Sequence, residues 1–305
     1  MIKVFIDGRE GTTGLRIEER LAVRGDIELL NISEQLRKSP EERGRLISMS
    51  DFTFLCLPDD AARESVSLCG NPDTVIIDAS TAHRTHPDWA YGLPELSEEY
   101  RQRIITSKRV AVPGCHATGF CLIVRPLVQL GIMPADYPVT CHSVTGYSGG
   151  GKKMIAEYTG SVRPAGYDSP RQYGLTIAHK HIPEMKYHCG LAYEPLFSPI
   201  VADFYAGMVV SVPLHTRLLS ENISCERLWE IFAEHYAGSV VNVRPFGGDT
   251  VGGYLDASTA AGSDGAELFV FGGGDRLIVS ARFDNLGKGA SGAAVQCMDL
   301  IINNR

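Results

Sequence analysis

The chain has 305 residues, which is more than one hydrophobic core usually holds, so two domains are expected. Its 44% hydrophobic and 21% charged residues describe an ordinary folded protein. A net charge of -7 argues against nucleic acid as a partner, because phosphate binding relies on clustered cations. No apolar run approaches the roughly 20 residues of a membrane span, so we expect no membrane partner.

The cysteines and the first residues indicate the compartment. Eight cysteines occur without a CxxC pair, and the chain begins directly with a strand pattern rather than with a secretory signal. We therefore expect reduced thiols in the cytoplasm. A zinc site needs clustered ligands, and the only close pair is in HKH at residues 179–181, so no metal site is expected.

Short apolar strands alternate with helical segments in the first third of the chain. The predicted strands are IKVFID, IELLNIS, FTFLCLP, TVIIDAS and RVAVPG. LRIEERLAVRG and DAARESVSLC have helical patterns, whereas residues 34–48 are interpreted as a polar stretch. This alternation predicts a Rossmann-like α/β domain, a parallel sheet with helices on both faces.

The pattern changes from about residue 139. Longer segments with polar alternation, such as MVVSVPLH and DRLIVSARF, predict a second, α+β domain with a largely antiparallel sheet. The tail GKGASGAAVQCMDLIINN is predicted to be a helix that packs back onto the first domain. We assign residues 1–114 plus 286–305 to the first domain and residues 115–285 to the second.

A glycine-rich turn follows the first strand. Gly8, Gly11 and Gly14 form GxxGxxG at the start of a helix, with Thr12 and Thr13 between them. Such a turn lets backbone N–H groups approach a pyrophosphate, which predicts a dinucleotide site. The alternative is a tight strand-to-helix turn without a ligand, because the spacing departs from GxGxxG.

The end of the second predicted strand selects between the nicotinamide cofactors. An acidic residue there bonds the ribose hydroxyls of NAD and repels a 2′-phosphate. This strand ends in Ser33, with Arg37 and Lys38 close behind, which favours NADP as the cofactor. Glu34 lies nearby and argues the other way.

Cys115 lies at the junction between a strand and a helix. Pro113 and Gly114 end the strand, and the apolar spacing from Thr118 to Leu130 predicts a buried helix. The positive end of a helix dipole favours thiolate over thiol. We therefore predict that Cys115 is a nucleophile, the alternative being a core cysteine that only packs.

A thiolate beside a nicotinamide has one well-understood use. An acyl phosphate acylates the sulfur, and the thioester is then reduced, or the sequence runs in reverse from an aldehyde. Such chemistry needs a base, and GLTIAHKHIPEMK offers His179 and His181. Two histidines at i and i+2 in an extended segment point the same way, so both could line one cleft. The alternative is a solvated polar loop.

An anionic substrate needs cations. Ser80 and Arg84 follow the end of a predicted parallel strand, where ligands of such folds bind. Lys152 follows the glycine-rich SGGG, whose backbone could form a phosphate nest, and Lys180 lies between the two histidines. For Lys152 an exposed helix start is the alternative.

The chain resembles the N-acetyl-gamma-glutamyl-phosphate reductase family in its shorter form. The resemblance rests on segments that run over essentially the whole chain: GREGTTGL, FLCLPDDAA, DASTAHR, YGLPEL, VPGCHATG, HSVTGYSGGGKK, HKHIPE and NLGKGASGAAVQ. Many relatives carry an aromatic residue after the cysteine, as in PGCYPTG, whereas this chain has His116 and Ala117. The departure leaves the nucleophile intact.

The resemblance implies an enzyme that reduces N-acetyl-L-glutamyl 5-phosphate with NADPH to the 5-semialdehyde and releases phosphate, in arginine biosynthesis. It implies that Cys115 carries the acyl group, that His181 handles the proton and that His179 contacts substrate, although the two histidines could exchange roles. It places Gly287, Lys288 and Gly289 at the cofactor. It also implies a homodimer or homotetramer.

Two alternatives remain. The same fold could act on another acyl phosphate, as aspartate-semialdehyde dehydrogenase does. The chain could instead be a non-catalytic NADP-binding sensor, in which the Cys115 thiol would be inert.

Overall fold

A computed structural model describes residues 1–248 and 250–304. The internal contacts divide them into two compact units, residues 1–114 with 290–304, and residues 115–289. The sequence assigned residues 286–289 to the first domain, whereas they lie in the second unit. The turn folds back on the strand before it, because Leu286 and Gly289 donate backbone hydrogen bonds to Asp284 at 2.8 and 3.0 Å.

The first unit is an α/β domain whose six strands are all parallel, in the order β2-β1-β3-β4-β6-β5. Its strands are β1 (Ile2–Asp7), β2 (Ile27–Leu30), β3 (Phe52–Leu55), β4 (Val75–Asp78), β5 (Ala90–Tyr91) and β6 (Arg109–Ala111). Its helices are α1 (Thr12–Ala22), α2 (Pro40–Met49), α3 (Asp59–Ser67), α4 (Glu98–Thr106) and α9 (Gly292–Ile302). The predicted Rossmann-like parallel sheet is confirmed.

Helix α2 corrects the prediction of a polar stretch at residues 34–48. Ser39 caps the helix, because its hydroxyl oxygen accepts a hydrogen bond from the N–H of Glu42 at 3.3 Å, and Pro40 occupies the first turn. Leu46 and Ile47 are buried against Phe5 of β1. The Ser39 and Pro40 signals are local, and the high charge of the segment obscured them.

The C-terminal helix α9 belongs to the core of the first unit, which confirms the prediction that the tail packs back. Cys297, Met298 and Ile301 lie in one apolar cluster with Val4 and Phe52 of the central strands. Burying such side chains contributes roughly 1.5–3 kcal/mol each.

The second unit is built on a seven-stranded mixed sheet in the order β11-β12-β13-β10-β7-β9-β8. Its strands are β7 (Thr140–Gly146), β8 (Arg171–Gln172), β9 (Leu196–Ala202), β10 (Met208–His215), β11 (Val241–Val243), β12 (Ala266–Gly273) and β13 (Arg276–Phe283). Among the described strands of this second sheet, only the β7–β9 and β11–β12 pairs are parallel. The predicted α+β domain with a largely antiparallel sheet is confirmed.

Four helices complete the second unit: α5 (Cys115–Gln129), α6 (Gly151–Thr159), α7 (Ile182–Cys189) and α8 (Cys225–His235). Helix α5 packs on β10 and β13, with Gly119 directly over Val210 and Phe283. The absence of a side chain at Gly119 brings the helix close to the sheet. This packing fixes the start of α5, where Cys115 lies.

None of the helices within residues 1–248 and 250–304 combines the length and apolarity needed to cross a bilayer.

Candidate active site

The glycine turn, residues 8–14, connects β1 to α1. Gly8 has φ +85°, and a Cβ there would collide with the carbonyl oxygen of Cys56 at the end of β3. The preceding Asp7 is buried, and its carboxylate accepts hydrogen bonds from Arg43 Nε at 3.1 Å and Ser65 Oγ at 2.7 Å. Both features hold the strand end and the turn in one conformation.

The first turn of α1 suits a pyrophosphate. Gly11 is the N-cap residue and supplies no side-chain cap, so the backbone N–H groups of Thr12, Thr13 and Gly14 stand at the positive end of the helix dipole. A Cβ at Gly11 would meet the carbonyl oxygen of Gly8 at 3.4 Å, an ordinary van der Waals distance. The turn named from the sequence therefore fits a dinucleotide.

The end of β2 carries no acidic side chain. Ser33, Arg37 and Lys38 lie in the exposed segment between β2 and α2. The sequence missed Arg9, whose Nη1 donates hydrogen bonds to Asn31 Oδ1 at 2.8 Å and to Glu18 Oε1 at 3.2 Å. A guanidinium therefore reaches the end of β2, where the adenosine ribose lies in such folds.

Ser80 and Arg84 are engaged within the first unit. The buried Asp78 carboxylate accepts hydrogen bonds from Ser80 Oγ at 2.7 Å and contacts His83 Nδ1 at 2.6 Å. Arg84 is buried, and its guanidinium donates to the carbonyl oxygens of Val112 at 2.9 Å and Ala79 at 3.2 Å. The two side chains thus brace the carboxyl ends of β4 and β6.

Cys115 is the first residue of α5 and is half-buried. The backbone of Gly289 lies against it, since a Cβ at Gly289 would be 2.8 Å from the Cβ of Cys115. The helix prediction is confirmed, and it begins at the cysteine itself rather than at Thr118. The sulfur therefore stands at the positive end of a 15-residue helix.

Three imidazoles gather in the second unit with the thiol. The ring centroids of His179 and His181 are 4.7 Å apart, and each is 5.5 Å from that of His116. The extended conformation assumed for HKH is wrong at His181, which has φ -88° and ψ -11° and begins α7. The rings meet through a turn, in which the N–H of His181 donates to His179 Nδ1 at 3.2 Å.

His116 links the cysteine to a hydroxyl network. Its ring nitrogens Nδ1 and Nε2 each lie 2.7 Å from a hydroxyl oxygen, of Ser143 and of Tyr173 respectively. Burial, and then the positive charges of His179 and Lys180, lower the pKa of His116 to about 3. Burial, and then the neighbouring Cys115, raise the pKa of Tyr173. We call Cys115, His116, Tyr173, His179 and His181 the thiol cluster.

The structure brings together three residues that the sequence singled out, Cys115, His179 and His181. Lys152 lies exposed in the first turn of α6, and Lys180 is exposed between the histidines. Lys288, between Gly287 and Gly289, is fully buried.

The sequence analysis missed Ser143 and Tyr173, and it noted His116 only as a departure from the relatives' pattern. The available signal for this network was His116, which stands where relatives carry an aromatic residue. Ser143 and Tyr173 gave no signal, because they are distant in sequence from Cys115.

Two family models match the chain. The semialdehyde dehydrogenase NAD binding domain matches residues 3–103, and the semialdehyde dehydrogenase dimerisation domain matches residues 115–285. Solved structures agree with the fold: the aspartate semialdehyde dehydrogenase from Francisella tularensis superposes with a TM-score of 0.73 at 14% identity, over 99% of this chain and 100% of that one. The enzyme from Candida albicans, solved with NADP, has a TM-score of 0.68 at 13% identity, over 100% of this chain and 99% of that one. The matching fold and the two matching domain models together place this chain in the semialdehyde dehydrogenase class.

Curated relatives narrow the class. The N-acetyl-gamma-glutamyl-phosphate reductase of Rhizobium meliloti is 49% identical over 99% of each chain. The N-acetyl-gamma-glutamyl-phosphate reductase 2 of Pseudomonas putida is 45% identical over 98% of this chain and 96% of its own length. The chain belongs to the N-acetyl-gamma-glutamyl-phosphate reductase family.

Proposed function

We propose that the protein reduces N-acetyl-L-glutamyl 5-phosphate to N-acetyl-L-glutamate 5-semialdehyde with NADPH and releases phosphate, a step of arginine biosynthesis. The observation that carries the proposal is a thiol at the first residue of a buried helix, gathered with three imidazoles, in a chain that matches a member of this family over 99% of both lengths. A non-catalytic sensor has no use for that arrangement.

The nucleophile is the Cys115 sulfur. Its thiolate attacks the acyl carbon, the C–S bond forms as the C–O bond to phosphate breaks, and a thioester remains on the enzyme. The backbone N–H groups at the start of α5 face the charge that develops on the carbonyl oxygen. One such donor contributes on the order of 3 kcal/mol in other enzymes.

His181 and His179 have different roles, one in proton transfer and the other in substrate binding. His181, buried at the start of α7, gives and takes the proton, and His179, half-exposed beside it, contacts the substrate. Lys180 and Lys152 are exposed cations in the second unit and supply charge for the phosphate. Ser80 and Arg84 act indirectly, because their polar groups already bind Asp78 and backbone carbonyls.

NADPH, when bound, supplies the hydride. The glycine turn would hold its pyrophosphate through the N–H groups of Thr12, Thr13 and Gly14, and Gly8 lets the chain pass close to the Cys56 carbonyl oxygen, where a Cβ does not fit. Arg9 joins Ser33, Arg37 and Lys38 as the source of positive charge for the 2′-phosphate. Gly287, Lys288 and Gly289 are proposed to complete the cofactor contacts, with Gly289 also fixing the position of Cys115.

We also propose how the subunits assemble and where the protein is located in the cell. A homodimer or homotetramer forms through the sheet of the second unit, whose outward row includes Val144, Val209 and Ile200, partly exposed apolar side chains in register. The match of residues 115–285 to a dimerisation domain supports it. Light scattering gives the subunit number. The cysteine usage supports a cytoplasmic location.

The direct test runs the reaction backwards. N-acetylglutamate semialdehyde, NADP and inorganic phosphate should give continued formation of NADPH only when all three are present, because phosphate must release the acyl group from Cys115. Without phosphate, NADPH should stop at about one equivalent per chain, because the thioester remains on the sulfur. Aspartate semialdehyde serves as the competing substrate. Faster turnover of aspartate semialdehyde, or continued turnover without phosphate, would contradict the proposed reaction.

A further inference from the structure

Three metal-ligating side chains converge in the thiol cluster. Cys115, His116 and His181 each offer one ligand atom, and these atoms all lie within 4.8 Å of one another. We propose that this trio is a binding site for Zn²⁺ or a cation of the same class, and that the bound ion inhibits the enzyme by capturing its nucleophile. The proposal goes beyond the reductase reaction.

The donor set selects the class of ion. One sulfur and two imidazole nitrogens are the ligands preferred by Zn²⁺ and similar borderline or soft cations. The trio contains no carboxylate, whereas Mg²⁺ and Ca²⁺ need oxygen ligands. Three protein ligands leave a fourth tetrahedral position for water or an anion.

The ligand atoms need only a small movement to close on an ion. Bond lengths of about 2.3 Å to sulfur and about 2.0–2.1 Å to nitrogen put tetrahedral ligand atoms roughly 3.3–3.6 Å apart. Starting from separations of at most 4.8 Å, they must approach by at most about 1.5 Å, which side-chain rotation supplies. Cys115 and His116 open α5, and His181 immediately precedes α7, which packs on α5 in the same unit.

A second layer of contacts orients His116. Ser143 Oγ lies 2.7 Å from Nδ1 and can hold the ring while Nε2 exchanges the hydroxyl of Tyr173 for the metal. Metal-bound imidazoles characteristically keep such a hydrogen bond at the other nitrogen. Phe197 packs edge-on against His116, with ring centroids 5.2 Å apart, and limits its rotation.

Coordination removes the electron pair that catalysis needs. When Zn²⁺ binds, the Cys115 thiol releases its proton and the sulfur donates to the metal, so no lone pair of comparable reactivity attacks an acyl carbon. The redox state of the sulfur does not change, and a chelator restores the thiol. His116 is the residue that makes the site a trio rather than a Cys–His pair, and relatives with PGCYPTG carry tyrosine there.

The test measures metal binding without substrate or cofactor, so it stands even if the proposed reaction fails. Reduced full-length enzyme competes with a chromogenic chelator for Zn²⁺. We expect one ion per chain, and an affinity at least about tenfold lower in His116→Tyr, since even outer-shell changes cost 10–100-fold. His215→Tyr, the same change at an exposed histidine of the second unit, should bind like wild type.

A second measurement covers the case in which His116→Tyr does not fold. Co²⁺ added to the wild type should give a thiolate-to-metal charge-transfer band that disappears after alkylation of Cys115. His116→Gln, which can still hydrogen-bond Ser143, should lose affinity as the tyrosine variant does. Equal Zn²⁺ affinity in wild type and either His116 variant, no stoichiometric binding at micromolar Zn²⁺, or a cobalt spectrum without the thiolate band would each overturn the proposal.

Discussion

The glycine turn and the thiol cluster are built in opposite ways. The turn comes from seven consecutive residues and depends on backbone geometry, with a positive φ at Gly8 and an uncapped helix start at Gly11. The cluster joins three separate stretches, which supply Cys115 with His116, then Tyr173, and then His179 with His181. Side chains dominate it, and two of the five, His116 and His181, are buried.

The contrast shows two ways of holding a site. A backbone turn tolerates changes that keep its conformation, because its binding groups are N–H groups present in every residue except proline. A side-chain cluster depends on each member, and on the packing that sets distances of a few ångströms between them. Single substitutions should therefore affect chemistry at the cluster and folding or cofactor affinity at the turn.

The largest effect is expected for Cys115→Ser. A hydroxyl remains protonated where a thiol ionises, so turnover should fall at least about 1,000-fold, or about 4 kcal/mol of barrier. NADP affinity should stay within about twofold, since the turn is unchanged. Steady-state kinetics and fluorescence titration measure the two quantities. Comparable turnover in the variant would remove the thiol from the mechanism.

Gly8→Ala should instead damage the fold. The positive φ and the overlap with the Cys56 carbonyl should together lower the free energy of unfolding by about 2–4 kcal/mol. Gly11→Ala is the matched control, because its Cβ would lie 3.4 Å from the nearest atom. Gly11→Ala should have the same free energy of unfolding as the wild type, but its affinity for NADP should be lower. Urea denaturation with cofactor titration separates these outcomes, and equal stability of all three proteins would show that the turn is not constrained.

Gly289→Ala tests how tightly the position of Cys115 is controlled. A Cβ 2.8 Å from that of Cys115 must displace the nucleophile, so kcat should fall about 10- to 100-fold. Gly273→Ala in the β12–β13 hairpin, where a Cβ meets nothing within 4 Å, should keep the wild-type kcat. An unchanged kcat in Gly289→Ala would mean that the thiol cluster accommodates the added methyl group, and that Gly289 does not control the position of Cys115.

The smallest expected effect is a pH dependence of stability that originates in the cluster. The pKa of His116 is about 3 in the folded chain and near 6.5 when unfolded, so the unfolded state binds the proton first as pH falls. The free energy of unfolding should decline below pH 6 by about 1 kcal/mol per pH unit from this residue. Urea denaturation at pH 7, 6 and 5, with EDTA in the buffer, measures this decline in the free energy of unfolding. His116→Gln should flatten the decline and His215→Gln should not.

Much of the fold was predictable from local patterns. Buried strands such as β3 and β4 are continuous apolar runs, and the alternation with helices indicated the parallel sheet. Helix α2 was not predicted, because its charged surface outweighed the signals from Ser39 and Pro40. The predicted boundary at residue 286 differs from the structure, because sequence cannot show that Leu286 and Gly289 bond back to Asp284.

The sequence by itself located the groups that we propose carry the chemistry: a cysteine placed at a helix start, two histidines around Lys180, and glycines where β1 turns into α1. Those inferences need only short-range geometry, since strand ends, helix dipoles and glycine turns are set by neighbours in the chain. Only the tertiary structure decided that His116 bonds Ser143 and Tyr173 and lies beside His181. Contacts between residues far apart in sequence depend on how helices pack on a sheet, and no local spacing encodes them.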